Sequence, residues 1–262
     1  MRIALGIEYY GGSYCGWQTQ PSGCAVQDHV ERALEKFATT RIRTVTAGRT
    51  DSGVHALTQV VHFDTGIERE EASWVRGTNA NLDPDIRVLW AKRVAGDFHA
   101  RFSARSRTYD YFLLSDGVDA GLWKGRVGWF HAPLDAGAMQ EAAAAILGEH
   151  DFTAFRASEC QAASPLRIVT RADVTSKGKM LRFRFTANAF LHHMVRNLVG
   201  SLVYIGSGTK PPGWIAELLL ARDRSLAAPT FAPDGLYLAA IEYDRQWGLP
   251  EFFQRYPFMN LP

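Results

Sequence analysis

Two hydrophobic periods take turns along this chain, and their order narrows the fold more than any other feature. Ile3, Leu5, Ile7 and Tyr9 alternate with period two, the pattern of a half-buried strand, which ends at Gly11-Gly12-Ser13. Val26, Val30, Ala33, Leu34 and Phe37 then recur at three- and four-residue spacing, one apolar stripe on a helix of about four turns. Further on, the pattern predicts strands at 42–47 and 58–64, a polar helix near 70–80, a strand near 86–95 and renewed alternation at Tyr109, Tyr111 and Leu113. It then predicts a helix near 135–147, strands near 167–175 and 180–187, helices near 191–205 and 213–221, and a last strand at 236–243. That order is neither a strict βαβα series nor all-β, so the expected class is α+β with antiparallel sheet. A length of 262 residues suits two such halves, 1–105 and 106–262, with no linker-like or low-complexity tract to separate them.

Composition excludes several classes. With 47% hydrophobic and 21% charged residues the chain is neither disordered nor fibrous. No apolar run reaches the length of a membrane span, and Met1-Arg2-Ile3 leads straight into strand alternation, so a cytoplasmic protein is expected. Cys15, Cys24 and Cys160 form no CxxC pair and leave an odd thiol under any pairing, which predicts free thiols rather than a zinc site or a disulfide framework. Net charge is only +2, but its distribution is uneven. Residues 37–50 contain Arg41, Arg43 and Arg49 and no acid; residues 91–107 contain Lys92, Arg93, Arg101, Arg105 and Arg107 against Asp97. Residues 167–184 contain Arg167, Arg171, Lys177, Lys179, Arg182 and Arg184 against Asp173. Segregation of this kind fits a polyanion footprint, although each window alone also fits a solvated strand face.

The densest polar cluster between two apolar strands is Ala47-Gly48-Arg49-Thr50-Asp51-Ser52-Gly53-Val54-His55. Its glycines permit a tight backbone, and Arg49 beside Asp51 favours an ionised carboxylate, which suits a nucleophile or a base; a β-turn closed by an Asx residue fits as well. It is not a P-loop, since GxxxxGK[ST] is absent. His192 and His193 are adjacent and cannot imitate the i, i+4 pair of a zinc site, so no metal is expected. Asp83 and Asp85 flank Pro84 in a loop-like stretch, a poor match to a glycosidase pair. On the helix near 191–205, Arg196 lies one turn before Gly200, a residue that admits the close approach of another backbone or a ligand. Phe98, Phe102, Tyr109, Tyr111 and Phe112 interleave with the second basic window, and unstacked bases stack on such rings.

Gly48-Arg49-Thr50-Asp51-Ser52-Gly53-Val54-His55 resembles the signature of TruA-type tRNA pseudouridine synthases. The resemblance extends in order through Gly16-Trp17-Gln18, Val26-Gln27, Phe98-His99-Ala100-Arg101-Phe102-Ser103-Ala104, Arg107-Thr108-Tyr109-Asp110-Tyr111, Asp151-Phe152-Thr153-Ala154-Phe155, Phe190-Leu191-His192-His193-Met194-Val195-Arg196-Asn197 and Gly235-Leu236-Tyr237-Leu238. Two positions depart from the family's common pattern: Gly11 where an Asp is usual, and Ser52 where an Ala is usual. The resemblance implies two ferredoxin-like halves around a shared, mainly antiparallel sheet with helices on one face. It implies isomerisation of uridine to pseudouridine in the tRNA anticodon stem-loop, at sites 38 to 40 of the usual tRNA numbering, without a cofactor or metal, by a homodimer. It also implies Asp51 as the catalytic carboxylate, Tyr109 as the ring stacked on the target base, and Arg49 and Arg196 as substrate-binding cations. Trp17, Gln18, His55, Arg105 and Arg107 become candidates for RNA contact. A non-catalytic protein that binds structured RNA is the alternative: it has the same basic windows and aromatics but no use for a carboxylate between glycines.

Overall fold

A computed structural model of the chain describes residues 1–250; residues 251–262, the end of the expected second half, lie outside the described residues. The fold is α+β, with ten strands and five α-helices among the described residues. Its described residues divide into two compact units, one made of Met1–Arg105 with 237–250, the other of Ser106–Leu236.

In the first unit, β1 (Arg2–Tyr9) lies between β3 (His55–Asp64) and β4 (Ile86–Val94), antiparallel to both. The two-residue β2 (Val45–Thr46) joins β3 antiparallel, and β10 (Leu236–Tyr243) lies parallel to β3 with Tyr237 opposite His55. Every residue of β3 from His55 to Phe63 is buried, as expected of a strand covered on both faces. Helix α1 (Val26–Ala38) buries Val26, Val30, Ala33 and Leu34, as its stripe predicts. It meets α2 (Glu71–Asn79) through an edge-on contact of Phe37 with Trp74, at a place where Gly77 leaves no room for a side chain beside the Phe37 ring. Glu31 is also buried on α1, and its carboxylate accepts from the Thr44 amide at 2.8 Å and the Thr44 hydroxyl at 3.0 Å, which ties the helix to the approach to β2. A polar group at such depth is tolerated because its oxygens are satisfied, Arg43 adding a 2.8 Å contact.

Near the other end of β3, His62 is 3% exposed and its Nδ1 accepts from the Ala100 amide at 3.1 Å. Burial, helped by the charges of Arg2 and His99, lowers its pKa to about 4. The unfolded chain takes up that proton below about pH 6.5 whereas the folded protein resists it until about pH 4, so acid favours unfolding in this window and nothing is lost above it. Stability should fall by about 2 kcal/mol between pH 6.5 and 4.5, and less in His62→Asn, whose amide oxygen can keep the Ala100 bond; urea titrations at both pH values measure the difference.

In the second unit, β5 (Ala104–Ser115), β9 (Met180–Ala187), β8 (Leu166–Lys177) and β7 (Gly148–Asp151) form an antiparallel run in that order, and β6 (Gly128–Phe130) adds to β5 in parallel. Helix α3 (Ala136–Ala144) starts at Asp135, whose side chain accepts from the Ala138 amide at 3.0 Å, a standard N-cap. Its Gln140 accepts from the Val174 amide at 2.6 Å and so docks the helix on β8. Helix α4 (Met194–Gly206) is almost wholly buried and is followed by α5 (Trp214–Ala221). No helix among the described residues is long and apolar enough to cross a membrane.

One expectation is corrected here. Cys15 and Cys24 are joined by a disulfide, with Cα atoms 5.6 Å apart, and only Cys160 is free. The Cys15 amide donates to the Cys24 carbonyl at 3.1 Å, so the loop between them folds back as a closed turn and brings together thiols that no short sequence spacing pairs.

Candidate active site

The 47–55 loop is held by its main-chain carbonyls together with the side chains of Thr50, Ser52 and His55. Thr50 is the hub: its carbonyl accepts from the Trp17 amide at 3.0 Å, and its buried hydroxyl is 2.8 Å from that of Tyr9. Burial raises the Tyr9 pKa far above its usual value, so this phenol stays protonated and serves as a fixed partner. The Asp51 carbonyl accepts from the Val54 amide at 3.2 Å, closing a turn that Gly53 permits with φ +80°. The Gly48 carbonyl accepts from Gln59 at 2.6 Å. The Asp51 side chain is half-buried, Arg49 exposed.

The two family departures both lie in this scaffold. A side chain on Gly11 would overlap the Val54 carbonyl, and the Gly11 amide donates to His55 Nδ1 at 2.9 Å. The Ser52 hydroxyl donates to the Tyr14 carbonyl at 3.3 Å. The absent acid is therefore replaced by a backbone pressed against the loop itself. Gly16, at φ +90°, completes the cradle: a Cβ there would stand 2.8 Å from the Thr50 carbonyl oxygen and 3.1 Å from the Asp51 carbonyl carbon. Gly16→Ala should cost about 1–3 kcal/mol in urea unfolding, because its Cβ would press on the main chain of Thr50 and Asp51.

His55 is 1% exposed, stacked on Tyr10 at 5.0 Å between centroids and tilted against Tyr237 at 4.6 Å. Trp17 is fully buried, 5.9 Å from Tyr9. Both are packed into the scaffold behind the loop, while Gln18 is exposed. Arg105 is exposed and ion-paired with Asp244; Arg107 is buried, with Nη1 donating to the Asn188 carbonyl at 2.8 Å. Asp83 pairs with His29, and Asp85 accepts from Ser13 at 3.2 Å, so both carboxylates are engaged in the turn before β4.

In the second unit, Tyr109 on β5 is 8% exposed and makes an edge-on contact with Phe190 at 5.1 Å. Its neighbour Asp110 is completely buried and takes a two-pronged contact from Arg184 across the strand pair, 2.6 Å on each side. On α4, Arg196 donates from Nε to the Phe231 carbonyl at 2.8 Å. Gly200 admits the Pro229 carbonyl, so the close approach anticipated there is made by another stretch of backbone. Asn197, fully buried, donates to the Phe155 carbonyl at 2.8 Å and accepts from Thr230 at 2.7 Å. Asn197 and Tyr237 lie in segments that carry the family resemblance, although it assigns them no role; for Tyr9 and Tyr10 the signal in the sequence is only that aromatic groups stand at the end of a strand pattern.

A family model described as tRNA pseudouridine synthase matches residues 6–103 and 142–244, a span that includes the Asp51 loop, the turn after β4 and all of α4. The chain belongs to the tRNA pseudouridine synthase family. Proteins named tRNA pseudouridine synthase A agree with it over almost their whole length. The one from Methylibium petroleiphilum is 58% identical over 251 residues, covering 96% of both chains. Those from Methylobacillus flagellatus and Paraburkholderia xenovorans are each 57% identical, covering 95% of this chain and 96% and 92% of theirs. As a tRNA pseudouridine synthase the protein is an isomerase.

Proposed function

We propose that this synthase converts uridine to pseudouridine in the anticodon stem-loop of tRNA, at sites 38 to 40, with Asp51 as the essential carboxylate. The observation that carries the proposal is the Asp51 loop, in which buried Thr50, Gly16 and the Gly11–His55 contact fix the main chain while the acid itself is half-buried. Preorganisation of that kind is what a reacting carboxylate requires. The isomerisation is redox-neutral: the N1–C1′ bond breaks, the uracil turns, C5 joins C1′, the C5 proton leaves and N1 takes up a proton, so no cofactor is called for. Tyr109 is assigned to stack on the displaced base, and Arg49 and Arg196 to bind the nucleotide. Gln18 and Arg105 are assigned to the RNA surface; Trp17, His55 and Arg107 support it from inside. A base must leave its stack before it can react, and stacking with phosphate contacts offsets that cost of a few kcal/mol. The protein is proposed to act as a cytoplasmic homodimer.

The test is release of tritium from tRNA transcribed with 5-tritiated uridine, since the new C5 bond expels that atom. Release in proportion to the target uridines supports the proposal. Binding of tRNA with no release from any transcript would leave a binder.

A further inference from the structure

Phe102 is 76% exposed, yet it sits in a turn whose every neighbour is fixed. The His99 amide is bonded to the Ser103 hydroxyl at 3.0 Å, and the Ser103 amide donates back to the His99 carbonyl at 2.8 Å. His99 Nδ1 accepts from the amides of both Arg101 and Phe102 at 3.2 Å, and its ring stacks on Phe102 with centroids 4.3 Å apart. Beneath the turn, Phe98 and Ala100 are wholly buried in the cluster that contains Ala47, the residue that opens the Asp51 loop. Tyr243 donates to the Ala100 carbonyl at 2.6 Å, and Trp247 packs edge-on against Phe98. A large apolar ring is thus held rigid in solvent, on the same foundation as the Asp51 loop.

We propose that Phe102, backed by the His99 ring, is a stacking platform for an unpaired RNA base beside the nucleotide that reacts. The proposal rests on the pseudouridine synthase reading and adds to it a second point of attachment. Several facts favour a base over other occupants. The ring continues a stack already begun by His99, and a nucleobase extends such a stack with its own flat face. The guanidinium of exposed Arg101 lies 5.7 Å from the ring centroid and places positive charge beside it, which suits the phosphates next to an unstacked base. Rigidity counts as well, because a fixed aromatic spends no further ordering entropy when the base arrives.

The test compares wild type, Phe102→Leu and Phe102→Trp in binding an unmodified tRNA transcript at two salt concentrations, with melting temperature as the control for folding. Leucine keeps apolar volume and removes the flat π-face; tryptophan keeps it. Phe102→Leu should weaken binding by about tenfold with the salt dependence unchanged, and Phe102→Trp should bind within about twofold of wild type. A transcript with 2-aminopurine in the anticodon loop should show fluorescence quenching with wild type that Phe102→Leu relieves. Equal affinity of wild type and Phe102→Leu would overturn the platform, as would a changed salt slope. So would dissociation of an oligomer in Phe102→Leu, which would make the ring a contact between copies of this chain. If wild-type protein releases no tritium while Phe102→Leu still weakens binding, the platform stands as an RNA site and the catalytic reading fails; tritium release with binding unaffected in Phe102→Leu sinks the platform and leaves the catalytic reading standing.

Discussion

An Asp51→Ala protein should release no measurable tritium from 5-tritiated tRNA, a fall of about 10⁶-fold or more, equivalent to about 8 kcal/mol of lost transition-state stabilisation. Its affinity for the RNA should stay within about threefold of wild type, because binding is spread over stacking and phosphate contacts. Whether the carboxylate attacks C1′, takes a sugar proton or adds to the base, each route needs an ionised oxygen at the reacting atoms, and alanine supplies none. The fold should survive, because the Thr50 and Asp51 carbonyls keep their bonds to the Trp17 and Val54 amides in the variant. Asp51→Asn should be equally inactive, since its amide is neither a nucleophile nor a base. Single-turnover assays with enzyme in excess, alongside filter binding, check both halves of the expectation; residual release within a hundredfold of wild type would remove Asp51 from the chemistry.

Loss of the Asp110–Arg184 pair should be the most damaging change to stability. Asp110 has no exposed surface and receives both prongs of the Arg184 guanidinium from the facing position on β9. Asp110→Ala leaves the guanidinium, whose side chain is only 18% exposed, without its countercharge, and breaking such a pair costs about 3–5 kcal/mol. That is a large fraction of the about 5–15 kcal/mol that holds a typical domain together. Urea unfolding should show the loss in full, and activity should vanish near the melting temperature but recover on cooling, because Tyr109 next door keeps its place once the sheet is formed. Asp110→Leu combined with Arg184→Met should recover much of the loss, as matched apolar replacements of buried pairs often do; a double variant as unstable as Asp110→Ala would show that the pair is needed for more than charge balance.

Much of the element order was legible because it depends on local periodicity. The stripe of Val26 to Leu34 and the alternation of Ile3 to Tyr9 became α1 and β1 within a residue or two. β6 and β7 were not legible: Gly128-Trp129-Phe130 is too short to show a period and Gly148-Glu149-His150-Asp151 is both short and polar, and they are strands because β5 and β8 offer backbone to pair with. The basic windows were legible as composition but not as free charge. Arg43 meets Glu31, Arg105 meets Asp244, Lys179 meets Asp116 and Arg184 meets Asp110, and each of these acids lies outside the window that its partner made look basic. The importance of the Asp51 loop could be read from its glycines. The grip on it could not, since the Tyr9 hydroxyl, the Trp17 amide and the Gly11 amide reach it from a strand and a turn about forty residues earlier.

The parallel contact between β3 and β10 sets a timetable for synthesis. Tyr237, which stands opposite His55 and packs on its ring, is made more than a hundred residues after β1, β3 and β4. A nascent chain of the first hundred residues carries the Asp51 loop, but it lacks Tyr237, Tyr243 and Trp247 and hence one wall of the core beneath it. Closing so distant a contact is slow and has to await the synthesis of β10. The Asp51 loop therefore gains its full support only after Tyr237 has been made, and fragments cut short before Tyr237 are expected to be inactive even where their helices and hairpins have formed.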